Sequence, residues 1–102
     1  MPVPAEIPRL VSHPREVYLR QNEGRIRSAA SGLLARGLPD PEISAALNAV
    51  HFAEDLYEIH NDTAPKFQQR GKPHLVQIHE DHAARAMQLK FRALDQLAHL
   101  VL

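Results

Sequence analysis

Seven histidines in 102 residues, several within a turn of a carboxylate, are the side chains here most suited to holding a metal ion. Imidazole and carboxylate together suit zinc, manganese, nickel or iron. If a helix over about 41–61 ran antiparallel to one over about 78–101, the end of the first would lie beside the start of the second. Glu58 and Asp62, at i,i+4, would then meet His79 and His82, at i,i+3, as ligands for a divalent transition metal. His51 and Asp55 form a second chelating pair at i,i+4. Neither set follows a dedicated motif such as His-Glu-x-x-His. A plainer account also exists: Glu80 and Asp81 complement a helix dipole in its first turn and leave the histidines solvated beside them. On that account the chain needs no cofactor, and the metal is the alternative.

Other chemistry is poorly supplied. There is no cysteine, which removes disulfides, thiolate metal sites and a thiol nucleophile. Ser12, Ser28, Ser31 and Ser44 lie in no nucleophile elbow or Ser-x-x-Lys setting. Gly24, Gly32, Gly37 and Gly71 are too scattered to cradle a phosphate. Glu54 and Glu58 have the spacing of an acid–base pair, but neighbouring acids on a helix usually form a solvated face. The expectation is a protein that is not an enzyme.

The elements that would position these groups are helices. Pro2, Pro4, Pro8 and Pro14 remove backbone donors and hold their predecessors extended, so residues 1–14 read as an arm. From about 15 to 36, Leu19, Ile26, Ala29, Ala30, Leu33 and Leu34 recur near helical spacing, with Glu16–Arg20 and Glu23–Arg27 as i,i+4 pairs. Gly37 suits a left-handed stop and Pro39 forbids continuation. Asp40 then reads as an N-cap, Pro41 as the first helical residue and Glu42 as its dipole partner. A second helix over about 41–61 follows, with Ile43, Ala46, Leu47, Val50, Ala53 and Leu56 on its apolar side. Pro65, Gly71 and Pro73 make 62–77 read as a long loop with a short extended piece at 75–78. A third helix runs over about 78–101. Its last stretch, 83–102, has 13 apolar residues of 20 in two adjacent seams, more than one neighbour covers. The fold class is therefore all-α, with three main helices in one domain over 15–102.

The stretch Gly37-Leu38-Pro39-Asp40-Pro41-Glu42-Ile43-Ser44-Ala45-Ala46-Leu47 resembles the first helix of the helix-turn-helix in bacterial regulators. The resemblance implies a turn at 48–50 and a recognition helix from His51. That helix would present Glu54, Asp55, Glu58 and Asp62 and no Lys or Arg, so it would repel phosphates. Nucleic acid is an improbable partner on this ground, and a net charge of zero agrees.

Charge is balanced over the whole chain but not locally. Residues 1–38 carry six Arg against three Glu, 39–64 six acids against no base, and 65–102 six bases against three acids. Three segments of one bundle could neutralise each other, or the acidic one could capture a basic protein. Glu54, Asp55, Glu58 and Asp62 are the candidate partner-binding residues. Met87, Leu89, Phe91, Leu94, Leu97 and Val101, on the apolar third helix, are the candidate interface of a homo-oligomer. No apolar run approaches the roughly 18 residues of a membrane span. The functional expectation is a small cytoplasmic interaction module (adaptor, assembly subunit or inhibitor) that works as a homo-oligomer. Metal binding and helix-turn-helix DNA binding are the alternatives.

Overall fold

A computed structural model describes residues 13–37 and 40–102. They form α1 (His13–Ala35), α2 (Pro41–Gln69) and α3 (Pro73–Val101), an all-α protein of three helices. Residues 1–12 of the expected arm lie outside the described residues, while Pro14 sits in the first turn of α1, where its missing N–H costs nothing. The boundary at Gly37 is as expected: its φ is 75°, and its N–H donates to the Leu34 carbonyl at 3.0 Å. Asp40 caps α2 from an extended conformation, its carboxylate accepting from the Glu42 N–H at 3.0 Å and the Ile43 N–H at 3.1 Å. Asp40→Ala should lower stability by about 1 kcal/mol, read as a fall in Tm with helix content unchanged at low temperature.

The expected loop at 62–77 is not there. α2 runs on through Pro65 to Gln69, and α3 begins five residues earlier than expected, at Pro73. Proline within a helix costs roughly 3 kcal/mol in isolation, so tertiary packing must offset it. Ala64 is buried, and the Phe67 ring stacks on His79 of α3 at 5.4 Å. The link is only Arg70-Gly71-Lys72. Gly71 takes φ 70°, and the Lys72 N–H donates back to the Phe67 carbonyl at 3.0 Å. The segment expected to be extended at 75–78 is helical, and Glu80 and Asp81 stand in the body of α3 and not in its first turn.

α2 and α3 thus make one long antiparallel hairpin, and α1 packs across its open end. Leu19, Ile26 and Ala30 of α1 meet Ile43, Ala46 and Val50 of α2 and Phe91, Leu94 and Leu97 of α3. Nearer the turn the buried residues are alanines, Ala64, Ala83 and Ala86, small enough to let α2 and α3 approach closely. No position in the core of the described residues is polar or charged.

Candidate functional site

Glu54 is not a free acid. Its carboxylate accepts from both terminal nitrogens of Arg27, at 2.7 and 3.1 Å, and lies 3.1 Å from the Lys90 ammonium. Glu23 bonds the same two cations, at 2.8 and 3.1 Å. Two carboxylates and two cations therefore close a neutral ring that joins all three helices. The Arg27 hydrogen bonds come first among the causes that hold the Glu54 carboxyl down to about 2, against a partial desolvation that opposes them. The same bond raises the Arg27 guanidinium above its ordinary value. Glu54 leaves the expected partner-binding set for this reason: its charge is already spent inside the chain.

Asp55, Glu58 and Asp62 remain exposed, and among the described residues they make no ion pair. Glu58 and Met87 wall a cleft of about 450 Å³ between α2 and α3, beside Tyr57 and Lys90. Three of the four arginines of α1 are occupied: Arg20 pairs with Glu16 at 2.9 Å, Arg15 with Asp95 at 2.6 Å, and Arg27 belongs to the ring, whereas exposed Arg25 reaches only the Asn22 side chain at 3.4 Å.

The residues expected between copies divide into two groups. Phe91, Leu94 and Leu97 are consumed by the chain's own core, and Val101 and Met87 pack against it. Leu89 points elsewhere and is exposed. It belongs to a face that sequence periodicity did not single out. Among the described residues, four of seven exposed large apolar side chains, Phe52 and Ile59 on α2 with Ile78 and Leu89 on α3, share one side of the hairpin. Phe52 and Ile59 are seven apart, and Ile78 and Leu89 eleven, so each pair falls within about 20° on its helix. Phe52 stands about 200° round from Val50 and Glu54, and Leu89 as far from Phe91, all of which face α1. The stripe is thus on the side away from α1. A groove of about 360 Å³ lies at its Phe52 and Leu89 end, lined also by Ala49, Arg92 and Gln96.

The histidines gather differently from expectation. His60, which spacing did not select, meets His79 with Nδ1 to Nδ1 at 2.9 Å and stacks on His82 at 4.9 Å. Glu58 and Asp62 lie two residues either side of His60, about 200° round the helix, and so do not join it. Loss of hydration, and then the charges His82 and His79 would carry, lower the His60 pKa. His51 approaches Glu54 and Arg27 at 3.7 and 3.3 Å and makes no bond with Asp55. Among the described residues, no three His, Asp or Glu side chains already converge on one metal position.

α2 is unbroken across 48–50, so the turn that a helix-turn-helix requires is absent. No helix among the described residues is long and apolar enough to cross a membrane. The chain matches no family model, no curated protein and no solved structure.

Proposed function

We propose that this chain is a small helical interaction module that works as a homo-oligomer, two hairpins packing through the face that bears Phe52, Ile59, Ile78 and Leu89. The observation that carries the reading is that stripe, with Phe52 64% and Ile59 58% exposed on the side that α1 leaves open. Isolated apolar residues on a surface are ordinary, whereas a continuous apolar face marks a binding site. A second copy suits it by charge. Asp55 and Asp62 run along the α2 border of the face, and Arg85 and Arg92 along the α3 border, all four exposed. A two-fold axis parallel to the helices sets α2 of one copy on α3 of the other and keeps heights equal. Asp55, sixteen residues before Gly71, then falls level with the span between Arg85 and Arg92, fourteen and twenty-one after it. The basic surface met by the acidic stripe is that of Arg85 and Arg92 of the second copy. The reading requires no catalytic group, and a chain without cysteine suits work in the cytoplasm.

Phe52→Asp combined with Leu89→Asp should give monomers of unchanged helicity, measured by sedimentation and circular dichroism. Wild-type dimers should weaken with salt, because screening shortens the reach of surface charge to about 8 Å at physiological ionic strength. A wild-type monomer at high micromolar concentration defeats the proposal. Asp55→Asn, Glu58→Gln and Asp62→Asn together should loosen the dimer. An intact dimer in that variant would assign the stripe to a separate basic protein.

A further inference from the structure

We propose that His60, His79 and His82 form a site for one divalent transition-metal ion of the zinc, nickel or copper kind, bridging α2 and α3 near their turn. The spacing of the first two nitrogens carries the inference. His60 Nδ1 and His79 Nδ1 are 2.9 Å apart and come from different helices. Two imidazole nitrogens bound at about 2.0–2.1 Å to one ion sit roughly 2.9–3.4 Å apart at coordination angles between square and tetrahedral. The pair thus already holds the separation of adjacent ligands. One Nδ1 carries a proton in the metal-free pair; when the ion enters, that ring gives this proton to water and takes one up at Nε2, so it binds as a neutral imidazole.

His82 supplies the third nitrogen. It lies three residues from His79, on the same side of α3, and its ring rests on His60 with centroids 4.9 Å apart and planes 25° from parallel. It is exposed, and convergence asks its side chain to rotate off that ring. Phe67, stacked on His79 at 5.4 Å with planes 6° apart, holds that ring in place from the other side. The donor set is imidazole with water in the remaining positions. Imidazole selects zinc, nickel or copper over calcium and magnesium, which prefer oxygen. The place of the site gives the ion a task. Here the buried residues of the two helices are alanines, and α2 carries Pro65, which donates no backbone hydrogen bond, so an ion held from both sides would clamp them.

Chelator-treated full-length protein, titrated with zinc, nickel or copper(II) chloride, tests the site through native mass, calorimetry and melting curves. One ion per chain and a rise in Tm are expected. His60→Ala should lower affinity at least tenfold, and His79→Ala with His82→Ala should abolish the rise in Tm. Helicity measured without metal should stay that of wild type in each variant. Phe52→Asp combined with Leu89→Asp, which breaks the proposed dimer, should bind metal normally, which separates this site from that reading. An unchanged melting curve with all three metals overturns the proposal. So does binding that survives His60→Ala, which would place the ion on His51, His74 or His99, and so does half an ion per chain, which would place it between copies.

Discussion

Leu97→Asp should leave no folded protein, while Leu89→Asp, eight residues earlier on the same helix, should leave a folded one. Leu97 is fully buried among Leu94, Phe91 and the α1 residues Leu19 and Ile26, and no cation or donor in that cluster could meet a carboxylate. Burying an unpaired charge costs several kcal/mol, comparable with the whole stability of a small domain at about 5–15 kcal/mol. Leu89 is 41% exposed, and an aspartate there stays in water. The milder Leu94→Ala should cost about 2–5 kcal/mol through the cavity it opens. Denaturant unfolding followed by circular dichroism measures all three. A Leu97→Asp protein with a cooperative transition near the wild-type midpoint would mean that α3 does not face α1 as described. The contrast also separates folding from assembly, because a surface on the outer stripe can be charged without opening the core.

Glu54→Gln should remove the stability that the charged ring adds, and should do so in a definite range of pH. The folded carboxyl is held at about 2, below its ordinary 4.5. The unfolded chain therefore binds the proton more readily than the folded one between those values. Stability from this group is fully present above pH 4.5 and is lost as the pH falls toward 2. About a third of the side chain is open to solvent, so screening reduces the effect to about 1–2 kcal/mol. Wild-type unfolding free energy should drop through this window, and the Glu54→Gln curve should be flatter there. The variant should also be weaker at neutral pH, because Arg27 and Lys90 then share Glu23 alone. If the two proteins show parallel pH profiles, the ring contributes nothing measurable.

What could be read from the chain was whatever local geometry determines. Asp40 and Pro41 announce the start of α2, and Gly37 the end of α1, because caps and left-handed residues act within a few positions. The two apolar seams of α3 correctly implied two neighbours, α1 and α2. Their assignment to a second copy failed for Phe91, Leu94 and Leu97 because α1 reaches across α3 from far away in sequence. Pro65 and Pro73 misled for the same reason. Alone they argue for a break, yet α3 packs along α2 and holds it helical past the proline, while Pro73 merely opens the next helix. A second helix that ends at 61 hides the register of the hairpin. Counting outward from Gly71 puts His60 and His82 each eleven residues away, directly opposite, but a loop of sixteen residues has no such centre. Glu54 went astray differently. On its own helix it borders Asp55 and Glu58, and its partners Arg27 and Lys90 lie on the other two helices.

The three-residue turn at Arg70-Gly71-Lys72 makes the chain intolerant of changed length. Surface connections ordinarily absorb insertions. Here a residue inserted before the turn and absorbed into α2 would advance α3 by about 100° of rotation relative to α2. Leu97 would leave the α1 side, Lys90 would miss Glu54, and His79 would part from His60, three separate losses from an edit that touches none of them. Among relatives of this chain, insertions and deletions should therefore be rare between Gln69 and Pro73. Those that survive should come in lengths near a whole number of helical turns, since the segment sets a phase as well as joining two helices.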